Sequence, residues 1–292
     1  MTSLALNLLG AFEVTALPNT PKGTAFATDK VRGLLAYLAL EPAQAHRRET
    51  LAALFWPEIS HQAALTNLRQ TVHRLREGVD RVAPGSSDAL FVVTRQTLQL
   101  DPTQVTVDAI RFTMLLAASE RHAHTDLAAC TPCLARMAQA VALYRGELLA
   151  GFGLGDAAPF EEWLLLRREL YHQQALLALQ KLTDAHERRG DNEQAHSYAS
   201  RQLELDPYRE EAHRQVMRLL ALRGLTNQAL TQYERCRQLL YDELGVPPAD
   251  ETVALMAQIR SGKLDKVTSA SSLTPSPSHP LTQSFPTTSP PN

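Results

Sequence analysis

Residues 189–235 carry an internal echo at a spacing of 34. Arg189-Gly190 recurs as Arg223-Gly224, Gln194-Ala195 as Gln228-Ala229, and Arg201 as Arg235. A period of this length is one helix–turn–helix unit. The glycine falls where such a unit turns, the alanine where its helices cross closely, and Pro207 where a helix must stop. One helical pair cannot bury its own apolar face, so neighbours have to stack. Segments around 136–149 and 161–186 are predicted to supply the preceding helices, with 111–120 beginning the array. Beyond Val107 the chain reads as nearly all helix.

The first hundred residues have a different texture. Leu4, Leu6 and Leu8 alternate with polar or small residues, and Phe12 and Val14 repeat the pattern, as strands do. After Pro18, Pro21 and Gly23, the residues Val31, Leu34, Leu35 and Leu38 recur at helical spacing. Thr28 is placed to cap that helix and Glu41-Pro42 to stop it. A second helix is predicted over 48–55, ending at Trp56-Pro57, and a third over 60–78. Residues 90–100 (LFVVTRQTLQL) then read as a hairpin turning at Arg95-Gln96. The expected fold is mainly α with a small β part. A winged helix-turn-helix unit (1–102) precedes a tetratricopeptide-like helical array (103–262), and 263–292 forms a tail or linker. In that tail, residues 268–292 lack Asp, Glu, Lys and Arg, while Ser and Thr fill 12 of the 25 positions. Such a composition buries too little apolar surface to order itself.

Composition limits the possible classes. With 44% hydrophobic residues the chain can build packed cores, and its three cysteines make no disulfide framework. The longest uninterrupted apolar run, 33–40, is far short of the ~18 residues of a membrane span, and no basic residue precedes the apolar N-terminus. A cytoplasmic protein without membrane contact is expected. A net charge of −2 excludes a strongly basic polyanion binder.

The predicted third helix carries the chemistry. Leu65, Leu68, Val72, Leu75 and Val79 define one apolar face. Opposite it, Thr66, Asn67, Gln70, His73 and Arg74 offer groups that hydrogen-bond base edges in a major groove. Arg69 and Arg76 flank the apolar stripe, in the place of phosphate contacts. Alone, such a face would read as solvated surface. Two supporting helices and a hairpin tipped by Arg95 make it a reading helix with a wing. Arg47 and Arg48, at the start of the second helix, are placed to hold backbone phosphates. The arginines of 47–95 only slightly outnumber the acids, which predicts weak nonspecific binding and reliance on specific contacts.

These strings resemble a known family. TDKVRGLLAYLAL, RRETLAALFWPE, NLRQTVHRLR and VVTRQTLQLD are similar to the OmpR-type winged helix of SARP-type bacterial transcriptional activators. ALYRGELLAGF, FEEWLLLRREL, LDPYREEAHRQVMRLLALRG and QYERCRQLLYDELGVPPADET resemble the bacterial transcriptional activator domain that follows it. The resemblance is collinear from residue 4 to about 260. It implies a transcription factor that binds direct repeats of double-stranded DNA near a promoter and contacts RNA polymerase. It places Asn67, Gln70, Thr71 and Arg74 on the recognition helix and Arg95 in the wing. The loop FWPEIS (55–60) resembles the segment that touches polymerase. Some relatives add a nucleotide-binding module, but no Gly-x-x-x-x-Gly-Lys-Ser/Thr loop occurs here: Gly262-Lys263 precedes Leu264. The chain is thus expected to be either a stand-alone activator or a piece ending in the linker before such a module.

Other signals are weaker. Cys130 and Cys133, preceded by His122 and His124, offer two thiolates and two imidazoles for zinc. Structural zinc hairpins usually separate their ligand pairs more widely, so ordinary reduced thiols in a connecting loop are the expectation, and Cys236 is expected to pack in the core. Gly151-Phe-Gly-Leu-Gly155 lacks both the sixth-position glycine and the preceding strand of a phosphate loop. His186-Glu187 lacks the second histidine of a zinc protease, and no Gly-x-Ser-x-Gly elbow is present. Neither an enzyme, a cofactor nor a metal site is expected. One small module offers few base contacts, so two copies on adjacent repeats, a homo-oligomer on DNA, are expected. The alternatives are a protein-interaction scaffold and a fragment of a larger ATP-dependent regulator.

Overall fold

Alternating burial along residues 4–8 is that of a strand with one face on a core. In the computed structural model, which describes residues 3–17, 26, 28–123 and 125–264, these residues form β1 (Ser3–Asn7) and its extension. β1 pairs antiparallel with β2 (Glu13–Leu17), Leu6 opposite Val14. The three expected helices follow as α1 (Asp29–Leu40), interrupted by β3 (His46–Arg47), then α2 (Arg48–Phe55) and α3 (His61–Val82). α3 runs one turn past its predicted end. After a short α4 (Ser87–Leu90), β4 (Phe91–Val93) and β5 (Thr97–Leu100) form the expected hairpin, and β5 also pairs with β3. The predicted tail over 268–292, together with Pro18, Pro21, Gly23 and His124, lies outside the described residues.

The chain then returns to its own beginning. β6 (Val105–Val107) lies parallel to β1, Leu4 opposite Val105, giving a sheet in the order β2-β1-β6. A boundary at 102/103 therefore leaves the last strand of the N-terminal sheet on the C-terminal side. The array follows as α5 (Asp108–Glu120), α6 (Thr131–Leu143), α7 (Ala158–Arg188) and α8 (Asn192–Leu205), then α9 (Glu210–Leu222), α10 (Thr226–Leu244) and α11 (Asp250–Arg260). Gly190 and Gly224 turn the chain between α7 and α8 and between α9 and α10 at φ +76° and +77°, a region glycine enters without steric cost. Ala195 and Ala229 are fully buried at the helix crossings.

The helix expected over 136–149 is shifted. It spans Thr131–Leu143, and the next residues leave it to bind the N-terminal hairpin. The Leu149 amide donates to the Leu8 carbonyl (2.8 Å), Ala150 to Gly10 (2.9 Å), and Gly10 to Glu147 (3.1 Å). The Arg168 guanidinium holds the carbonyls of Leu148, Leu149 and Phe152 at 2.8–2.9 Å. The carboxylate of Asp108 accepts the amides of Leu8 (2.8 Å) and Leu9 (3.0 Å).

One apolar cluster runs from Leu4 and Leu6 through α1–α3 to Phe160, Leu164 and Tyr171 of α7. Gly33 makes this seam possible: a Cβ there would lie 3.2 Å from Phe55 and Leu154 and 3.3 Å from Phe160. Past α1, the Glu41 carboxylate accepts from Trp163 Nε1 (3.0 Å) and pairs with Arg167. The array thus docks on α1 and α2, leaving the outer side of α3 to solvent. A second cluster joins α8 to α11. Among the described residues no helix is long and apolar enough to cross a membrane.

Candidate nucleic-acid interface

Ser60 starts α3: its hydroxyl accepts from the Ala63 amide at 3.4 Å, answering one of the amides that a helix N-terminus leaves unpaired. Ala64, Leu68, Val72, Leu75, Val79 and Val82 are buried, and Leu65 is half-buried at the edge of that stripe. The opposite side presents Thr66, Arg69, Gln70, His73 and Arg74, all exposed. Asn67 is half-buried.

Thr71 departs from the expectation. It is 7% exposed, beside Val72 on the docked side, because the buried stripe is one position wider than its aliphatic residues indicate. It leaves the set of side chains open to a duplex. Arg76 is also committed: it pairs with Asp88 near the start of α4. The neighbouring Asp80 accepts from the Ser87 amide (3.0 Å) and hydroxyl (2.7 Å). Burial pushes the Asp80 carboxyl up, but the Ser87 donors and Arg76 outweigh it and hold it below the ordinary carboxylate range. His73 lies 3.4 Å from Glu77, which also faces Arg81 at 3.8 Å. Thr66 donates back to the Gln62 carbonyl (3.0 Å). By contrast, Arg47, Arg69, Arg74 and Arg95 have no carboxylate within ion-pair distance among the described residues.

The wing is built around Thr94, whose hydroxyl accepts from the amides of Gln96 (3.1 Å) and Thr97 (2.8 Å), forming a tight tip with Arg95 exposed at its end. Arg48 braces that tip. Its amide donates to the Gln96 carbonyl (2.8 Å) and its Nε to the Thr94 carbonyl (3.2 Å), so it ties α2 to the wing instead of projecting freely. Arg47, exposed, precedes it on β3. β3 has no signature in the sequence, since two residues show no periodicity. Gln62, exposed in the first turn of α3, lies one helical turn before Thr66 on the same side.

The loop between α2 and α3 begins in the core and ends in solvent. Phe55 is buried, Trp56 lies under the Lys30 ammonium (5.5 Å to the ring centroid), and Glu58 and Ile59 are exposed. Two short helices thus hold a longer one against a β-hairpin, with a polar, largely cationic outer face, as a winged helix-turn-helix does.

Comparison with known proteins fits this geometry. Residues 107–260, more than half of the chain, match the bacterial transcriptional activator domain family. No curated protein matches the sequence significantly. Among solved structures, Mycobacterium tuberculosis EmbR in complex with a low-affinity phosphopeptide is similar in fold, with a TM-score of 0.65 and 22% identity; the match covers 91% of this chain and 67% of that one. The N-terminal hairpin that the array grips, the repeat turns at Gly190 and Gly224, and the family match lead to one assignment: the chain belongs to the bacterial transcriptional activator domain family and is a SARP-type transcriptional regulator.

Proposed function

We propose that this regulator binds double-stranded DNA by laying the outer face of α3 in a major groove. Gln62, Asn67, Gln70 and Arg74 face the bases, while Arg69 and Arg47 meet backbone phosphates and Arg95 enters the adjacent minor groove. The observation that carries this reading is that Gln70, Arg74 and Arg69 stand exposed on one face, the arginines without ion-pair partners among the described residues, while the array packs on α1 and α2. A duplex meets donors that are already uncovered. His73 and Thr66 share the face but hold partners on α3, so they contribute less.

The protein acts without catalysis, as an activator. Two copies occupy adjacent direct repeats, because a single module buries too little surface for useful specificity. Leu166, Leu170 and Leu177 expose apolar side chains along α7 and support contact between copies. Glu58 and Ile59, exposed between α2 and α3, are the surface offered to RNA polymerase. The experiment is a footprint upstream of candidate promoters, followed by salt titrations on the protected repeats and on random DNA. Specific protection of a repeated element with a steep salt slope is expected. Equal binding to both DNAs, or to neither, would overturn the reading.

A further inference from the structure

DNA recognition leaves one cluster of reactive side chains unused. It lies in the connection between α5 and α6, where the sequence favours ordinary thiols. Cys130 immediately precedes α6, Cys133 stands in its first turn, and His122 follows the end of α5. The His122 Nδ1 lies 3.5 Å from Cys130 Sγ and 3.3 Å from Cys133 Sγ, and all three donor atoms fall within 4.8 Å of one another. Tetrahedral zinc, with Zn–S near ~2.3 Å and Zn–N near ~2.05 Å, sets S···N edges of about 3.5 Å. The two S···N edges match those of a coordination tetrahedron. The Cys133 thiol also reaches the Ser119 carbonyl at 3.8 Å.

The surroundings suit a soft divalent cation. Cys130 and Cys133 sit at the N-terminal end of α6, and Arg136 Nη1 lies 3.7 Å from Cys133 Sγ; both favour thiolate. Thiolate and imidazole together select zinc-like ions over magnesium or calcium. Cys133 is fully buried and Cys130 half-buried, whereas His122 is exposed, which leaves an entry path from solvent.

We infer that His122, Cys130 and Cys133 bind one zinc ion through Nδ1 and the two Sγ atoms. Zinc enters as the dication, the two thiols lose their protons to solvent, and two Zn–S bonds form with no change of oxidation state. The ion clasps the end of α5 to the start of α6. The same connection carries the contacts to the end of α7: Asp126 pairs with Arg188 at 3.0 Å, and Thr131 accepts from Arg189 at 3.1 Å. A clasp here steadies the first helical hairpin where it meets α7.

The test uses the whole chain without a histidine tag, purified under reducing conditions. Elemental analysis is expected to find about one zinc per chain, and cobalt exchange to give the visible bands and sulfur charge-transfer absorption of a tetrahedral dithiolate site. Cys130→Ser and His122→Ala should each lower the zinc content at least tenfold, while Cys236→Ala keeps it. Two results would overturn the proposal: a wild-type chain without stoichiometric zinc or a cobalt–thiolate spectrum, including one whose mass shows a Cys130–Cys133 disulfide, or undiminished zinc in the Cys130→Ser, Cys133→Ser double variant. Should that double variant fail to fold, the wild-type cobalt spectrum decides alone, because it counts thiolate ligands directly.

Discussion

Arg74, Arg69 and Thr71 differ in what they should lose on substitution. Arg74→Ala is expected to cost about 1–3 kcal/mol on the specific site and to relax discrimination at one base pair. Arg69→Ala should weaken all duplexes alike and reduce the salt slope by about one. Thr71→Val, on the docked side, should leave binding unchanged, and fluorescence anisotropy on matched and random DNA separates the three. His213 carries a different signature. Its Nε2 faces the Pro207 carbonyl (2.9 Å) and its Nδ1 faces Gln232 (2.7 Å), a pair of bonds suited to the neutral ring. Burial lowers its pKa from the ordinary 6.5, with Arg235 acting the same way and the Pro207 carbonyl, Glu210 and Asp206 opposing. A depressed folded-state pKa gives stability that is present above the unfolded value and lost as pH falls through the folded one. The melting temperature should therefore drop on the acid side of neutrality, and His213→Gln should make that slope shallower. An identical slope in the variant would assign the effect elsewhere.

Among the elements, the repeat turns were legible because their signal is local. Gly190 and Gly224 announce themselves by period, and nothing lies within 4 Å of a Cβ built on either. Alanine at each should cost about 1–2 kcal/mol from backbone conformation alone, read as lower denaturation midpoints without change in DNA contacts. α3 was legible for the same reason, apart from Thr71, whose burial depends on what packs against it. Two features escaped because distant partners create them. β3 exists only through its pairing with β5, and residues 144–150 abandon a helical pattern to meet Leu8, Leu9 and Gly10. The bracing role of Arg48 escaped likewise, since the carbonyl of Thr94 is 46 positions away. On α7, Leu166→Asp with Leu170→Asp should abolish cooperative binding to paired repeats while sparing a single repeat, a difference that mobility shifts on the two DNAs would reveal.

At the scale of the whole molecule, the winged helix and the beginning of the array share one core, from Leu4 to Ala175. Calorimetry should therefore show the N-terminal unit melting together with α5–α7, and Gly33→Val should lower that transition by forcing Phe55, Leu154 and Phe160 apart. A separate, unaffected N-terminal transition would contradict the shared core. The return of β6 to β1 also orders events in time. β1 leaves the ribosome about a hundred residues before its parallel neighbour, and the Leu8 carbonyl just beyond it meets Leu149 later still. At ~5–20 residues per second of synthesis, Leu4 and Leu6 wait several seconds with one flank uncovered. A nascent chain stalled before residue 105 should engage chaperones, whereas one stalled beyond residue 175 should already resist protease.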